Sequence, residues 1–241
     1  MAFLTESKDA NLLIMENLTD REVISLCLVN KSAKKLCDNE NFWRNRFIKN
    51  HGQENMKYFQ DSKKSWKKIY LSLVKYGDIS SYTDKTGKKK VNLGRALELS
   101  AKDGDKEFVD FYLGKGAAEE IGSAIGEAIL AGQTDMVYYL IKRGNEIFGP
   151  GDMDQFKNDG LIDAARAGNV ELVNYFISRG ANKWEWGLQG AAQGGHRNLV
   201  DFFIEKGAHF WKGALKAAKK GGHQELIVFF QSKPKNPQDS P

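Results

Sequence analysis

The chain has 241 residues, 41% of them hydrophobic and 28% charged, with a formal net charge of +5. This is the composition of a soluble protein of one or two domains. No apolar run approaches the ~20 residues that span a bilayer, so no membrane segment is expected. The start, MAFLTESKDANLL, has neither the basic head nor the long apolar core of a signal peptide. Cys27 and Cys37 are too few for a disulfide framework. They read as small buried hydrophobes in a reducing compartment, the cytosol or the nucleus. Charge is uneven: residues 1–92 carry 18 Lys+Arg against 11 Asp+Glu, and residues 93–241 carry 18 against 20.

Residues 1–50 predict a small helical head. NLLIMENL, 11–18, is a short apolar helix. Thr19 and Glu22 form a capping box that opens a second helix, with Val23, Ile24, Leu26, Cys27 and Val29 expected inside. Ala33, Leu36 and Cys37 follow, then an acidic turn, and NFWRNRF sets Phe42, Trp43 and Phe47 on a third face. Residues 51–92 connect the head to the rest of the chain. SWKKIYLSLVKYG, 65–77, predicts a helix capped by Gly77; its Ile69, Tyr70, Leu73 and Val74 imitate half a repeat and would shield the end of a stack. Residues 78–92 read as a polar linker, and Lys88-Lys89-Lys90 as a solvated loop.

From residue 93 to 231 one unit recurs five times. Its anchor is a turn glycine: Gly104, Gly132, Gly168, Gly195 and Gly222, spaced 28, 36, 27 and 27 residues apart. Four residues earlier stands a small residue: Ser100, Ala128, Ala164, Ala191 or Ala218. Five later stands Val109, Val137, Val173, Val200 or Ile227, and eight later Tyr112, Leu140, Phe176, Phe203 or Phe230. Twelve later the first four copies have a second glycine, Gly116, Gly144, Gly180 and Gly207. A fixed period in this range predicts stacked helix pairs, each burying its apolar face on its neighbours. The small residue lets the next helix approach, and the two glycines end the two helices. The second and third copies are separated by eight or nine extra residues, with Gly149-Pro150-Gly151 as a turn. The tail, 232–241, holds three of the four prolines and is expected to be disordered.

Sequence motifs for chemistry are missing. No phosphate-binding loop, zinc-protease motif or nucleophile elbow occurs. Asp152 and Asp154 begin like a calcium loop, but Phe156 and Lys157 fall where a ligand and a glycine are required. His196 and His223 stand at equivalent turn positions, where a local structural use is expected. No cofactor, no metal site and no catalytic residue is assigned, and the chain reads as a non-enzyme.

The repeated unit, written LQGAAQGGHRNLVDFFIEKGA at 188–208, resembles the ankyrin repeat over about 99–231. Ankyrin copies are about 33 residues long. Here most spacings are 27 or 28, which removes the residues of the β-hairpin finger. Residues 10–48 resemble an F-box: IMENL at 14–18, Asp20, Leu26, Val29-Asn30-Lys31, Leu36-Cys37 and Phe42-Trp43. The motif's opening Leu-Pro is replaced by Glu6-Ser7. The combination resembles the F-box and ankyrin proteins encoded by large DNA viruses of amoebae. The resemblance implies an all-α protein, an F-box-like head followed by an α-solenoid of about five short ankyrin-like repeats. It assigns Ile14, Met15, Leu18, Val29 and Trp43 to the face that binds a Skp-type adaptor or to the core beneath it.

The repeats would hold a target protein. The varying positions before the anchors supply Lys102, Asp103, Leu130, Arg166, Gln193 and Lys220. The loop aromatics Trp184, Trp186 and Trp211 either plug the shortened loops or form an interface, since tryptophan is enriched in binding hot spots. Three functions remain open: a ubiquitin-ligase adaptor in a host cytosol, a scaffold whose head caps the stack, and a nucleic-acid-associated protein drawing on the basic front. A monomer with protein partners and no membrane association is expected, and nucleic acid is the least favoured partner.

Overall fold

A computed structural model describes residues 7–83, 86–149 and 151–233. Pro150 and most of the proline-bearing tail, 234–241, lie outside the described residues. The chain divides into two compact units, Met1–Asn92 and Leu93–Pro241. The described residues are overwhelmingly helical, a helical head followed by a region of helix pairs.

The first unit holds α1 (Lys8–Glu16), α2 (Asp20–Val29), α3 (Lys31–Cys37), α4 (Glu40–His51) and α5 (Trp66–Ile79). Polar caps punctuate it. Ser7 Oγ accepts from Ala10 N, and Ser65 Oγ from Lys68 N. The capping box closes with Glu22 N donating to Thr19 Oγ1 at 3.4 Å and Thr19 N donating to Glu22 at 2.8 Å. The Thr19 hydroxyl, donating to Glu22 Oε2 at 2.7 Å, and then the Thr19 N–H hold the Glu22 carboxyl below its ordinary range. Asn30 ends α2 and caps α3, its Oδ1 accepting from Ser32 N and Ala33 N. The extended backbone that this cap requires is why Ala33, Leu36 and Cys37 form a helix of their own, a fourth in the head where three were expected. Gly52, at φ 87°, ends α4. The core gathers Met15, Val23, Phe42, Trp43, Phe47, Phe59 and Ile69.

Three expectations for this unit are corrected. Cys27 and Cys37 are joined in a disulfide, with their Cα atoms 6.0 Å apart, which removes the free-thiol ground for expecting a reducing compartment. Neighbouring α2 and α3 bring the pair within bridging reach, and only Cys37 is fully buried. Gly77 does not cap α5, which runs on to Ile79 because Tyr76 continues its buried face. The polar linker contains a short antiparallel hairpin, β1 (Ser81–Thr83) with β2 (Lys89–Val91). α5 itself packs on α4.

The second unit is five helix pairs: α6 (Leu93–Lys102) with α7 (Lys106–Gly114), α8 (Ile121–Leu130) with α9 (Thr134–Phe148), α10 (Lys157–Ala167) with α11 (Val170–Ser178), α12 (Trp184–Gly194) with α13 (Arg197–Glu205), and α14 (Trp211–Gly221) with α15 (Gln224–Gln231). The first helices stack on one another in chain order. Each first helix ends in the same closure. The anchor glycine takes a φ of 72–80°. The next residue's N–H then reaches back to the small residue's carbonyl, at 2.9 Å for Asp105 to Ser100 and 3.0 Å for His196 to Ala191. This is a Schellman closure, which needs a left-handed residue that only glycine adopts cheaply. The second helices close alike at Gly116, Gly180 and Gly207, after which Ala117, Ala181 and Ala208 turn inward.

Gly144 breaks that pattern. It lies inside α9, fully covered, and a Cβ there would collide with the Met153 side chain. The extra residues before the third copy thus extend α9 by a turn, and a 3-10 turn at Asp152–Phe156 folds Met153 back against it. Polar ties join second helices: Tyr139 and Arg143 both donate to Asp110, and Tyr138 donates to Glu171 at 2.9 Å. Burial, then the Glu171 bond, pushes the Tyr138 phenol up to about 12.

The two turn histidines act between copies, not within them. His196 Nε2 lies 3.0 Å from Arg166 O, and His223 Nε2 lies 2.9 Å from Gln193 O. A carbonyl only accepts, so Nε2 carries the proton in both. The imidazole of His196 fills the space that a Cβ on Gly168 would need, and His223 does the same at Gly195. His196→Ala is expected to cost about 1 kcal/mol, a net hydrogen bond. Urea unfolding of the full chain measures it, and an unchanged midpoint would show that the bond contributes nothing.

Candidate functional site

Two surfaces answer to the sequence-predicted sites, one in each unit. In the head, the residues assigned to the adaptor face divide by depth. Met15 and Trp43 are fully buried, and the Trp43 indole N–H donates to Cys37 O at 2.7 Å. Ile14 and Leu18 are half-buried. Val29 is 82% exposed, beside Leu28 at 81%. Val29 was expected inside α2, but the helix spends its core position on Val23 and stops at Asn30, leaving its last turn outward. Leu13, 64% exposed on α1, joins this set of uncovered apolar side chains. The disulfide ties the turn that bears Leu28 and Val29 to the end of α3.

The head also holds a polar clasp, at the other end of α2, that the sequence reading missed. Arg46, nearly buried, donates from Nε to Asp20 Oδ1 at 2.9 Å, and from its terminal nitrogens to Met15 O at 3.0 Å and Leu18 O at 2.6 Å. Tyr70 OH donates to the same carboxylate at 2.6 Å, and Asn50 Nδ2 donates to the Tyr70 oxygen. Burial, aided by the Asp20 bond, raises the Tyr70 phenol well above its ordinary value. One guanidinium thus satisfies the carbonyls at the end of α1, the first residue of α2 and, through Asp20, the α5 tyrosine. The signal was present: Asp20 and Arg46 sit among apolar residues that leave two polar groups facing inward.

In the second unit, Arg166, Gln193 and Lys220 come together at matching positions of α10, α12 and α14. With Trp186 they line an open hollow of about 500 Å³, a size typical of ligand clefts. Ile162, Gln189 and Lys216 complete its walls. These were not singled out, although each stands four residues before a predicted one on the same helix face. The floor is small: Gly190 lies so near α10 that a Cβ would come within 2.5 Å of Ile162 O. Burial holds the neighbouring Asp163 carboxyl above its ordinary range, against the pull of Arg166 at 3.1 Å.

The remaining predicted residues lie elsewhere. Lys102 pairs with Glu127 at 3.6 Å, Asp103 is exposed, and Leu130 is 46% exposed on α8. The tryptophans split between the two readings. Trp211 is half-buried and stacks on Phe230, with ring centroids 6.3 Å apart, and Trp184 is half-buried at the start of α12. Trp186 is 50% exposed. Among the described residues no three His, Cys, Asp or Glu side chains gather as a metal ion would need, and no helix is long and apolar enough to cross a membrane.

No curated protein matches the chain. Residues 9–45, which run from the start of α1 through α2 and α3 into the first half of α4, match the F-box domain; the span includes Asp20 and Trp43 and stops one residue before Arg46.

Proposed function

We propose that the chain is a non-enzymatic adaptor. Its F-box head docks the Skp-type subunit of a cullin ubiquitin ligase, and its ankyrin-like repeats hold a target protein, as a monomer in the cytosol or nucleus of a host cell. The observation that carries this reading is the F-box match at 9–45 together with Leu28 and Val29, two large apolar side chains left uncovered within it. F-box domains bind Skp-type adaptors, and two adjacent large apolar side chains uncovered inside the matched span offer such an adaptor an apolar contact. A capture assay with a purified Skp-type adaptor tests it. Wild type is expected to retain the adaptor, and Leu28→Asp/Val29→Asp to lose it by about a hundredfold or more, since two hot-spot contacts vanish. Helicity should be unchanged, because neither side chain is in the core. No capture by wild type at micromolar concentrations would leave the second reading, a scaffold without a ligase link. That alternative is favoured by one departure: Ser7, which caps α1, stands where the motif has its Leu-Pro opening.

A further inference from the structure

We infer that the hollow on α10, α12 and α14 seats an acidic peptide segment that carries one large apolar side chain. This names the chemistry of the target, and it rests on the reading of the repeats as the target-holding half. Two features specify the apolar residue. Trp186 lines the hollow and is half exposed, and the matching position of the next copy is Gly213, whose missing side chain makes room for the Phe210 ring. Ile162 and Ala217 add apolar wall, so a phenylalanine or leucine would be covered on three sides.

Charge specifies the flanks. The lining contains Arg166, Lys216 and Lys220 and no carboxylate. Arg166 is partly neutralised by Asp163, yet its buried Nε has no hydrogen-bond partner among the described residues. Lys216 and Lys220 form no ion pair among the described residues. The same face of the first two copies is different: Arg95 and Lys102 are balanced there by Glu98 and Glu127. Unbalanced cations around a half-exposed aromatic favour carboxylates over a neutral ligand. Gln189 and Gln193 supply amides for the peptide backbone. A nucleic acid fits less well. Asp163, paired with Arg166 at the hollow's edge, opposes a continuous phosphate chain more than a short peptide whose few carboxylates can sit beside Lys216 and Lys220.

Random peptides displayed on phage, selected on the immobilised full-length chain, test the inference. Recovered peptides are then synthesised with a fluorophore and titrated by anisotropy, with no Skp-type adaptor present. The expected peptides are rich in Asp and Glu around one Phe, Trp, Leu or Ile. Trp186→Ala should weaken them about tenfold or more, the loss of one hot spot. Lys216→Glu/Lys220→Glu should weaken them at least as much and should favour the same peptides rewritten with lysine. Gln193→Glu is a second, milder charge test on a half-buried position, and circular dichroism checks that each variant is folded. Recovery of no peptide, absence of an acidic bias, or equal binding by the charge-reversed chain overturns the inference. So does an oligothymidylate that binds the hollow more tightly than any peptide. Adaptor capture is measured separately, so its failure and the failure of peptide binding are distinguishable.

Discussion

Arg46→Met is expected to destabilise the head by about 3 kcal/mol, the lower end of the cost of breaking a buried ion pair on one side, because the Asp20 side chain is 32% exposed. Methionine matches the volume of the stem but donates nothing. Asp20 keeps only its Tyr70 bond, the Leu18 carbonyl loses its side-chain donor, and the Met15 carbonyl keeps only backbone donors. Since whole domains are stable by only about 5–15 kcal/mol, a loss of that size removes much of the unit's margin. Arg46→Lys should recover a minor part, because one ammonium cannot reach a carboxylate and two carbonyls with a planar fork's geometry. Hydrogen exchange of the full chain reads the result: amides of α1 and α4 should lose protection while those of α10 and α12 keep it. Unchanged protection in α1 would show that the clasp is incidental to stability.

Ala191→Leu should be the most damaging single change in the repeats. Ala191 is fully buried on α12, which packs against both α10 and α14. Its neighbour Gly190 already lies against the Ile162 carbonyl, so α12 has no room to retreat. Overpacking costs typically about 1–3 kcal/mol, and a contact backed by main chain belongs at the upper end. In a stack held by nearest-neighbour interfaces the third and fifth copies should loosen with the fourth. Ala164→Leu repeats the experiment one copy earlier. Thermal melting of the full chain, with exchange to locate the damage, is the measurement. Unchanged melting in both variants would mean that these alanines do not set the spacing of the helices.

Most of the helices were legible because their ends are written in local chemistry. Thr19 with Glu22, and each anchor glycine, specify a helix end through bonds to residues within five positions. What was illegible depends on partners far along the chain. Gly144 has the sequence setting of a cap, yet its lack of a side chain serves Met153 and the helix continues through it. Gly77 likewise looks like a stop until Tyr76 is seen to be buried. The cysteine pair read as two hydrophobes because spacing alone does not say that α2 folds back beside α3. Four residues of the hollow's lining were named from the sequence, Arg166, Gln193 and Lys220 because they vary against a fixed frame and Trp186 because it is a loop aromatic. Lys216 and Gln189 needed one more step, the helical period applied within each copy. The Arg46 clasp needed the tertiary structure itself, since its acceptors lie 26 to 31 residues away.

The histidine bonds give the stack a direction. Each runs from a later copy to the carbonyl of the one before it, Arg166 or Gln193. Removing α14 and α15 therefore strips a bond from the pair left behind and reopens the space at Gly195 that His223 had filled. Removing α6 and α7 breaks neither. Peeling from the two ends is consequently not a mirror process: the rear pairs act as a ratchet for those in front. A further pair added behind α15 would continue the series by placing an imidazole after its own turn glycine, with the Lys220 carbonyl as its acceptor, beside the small and apolar positions that seat each copy on the last.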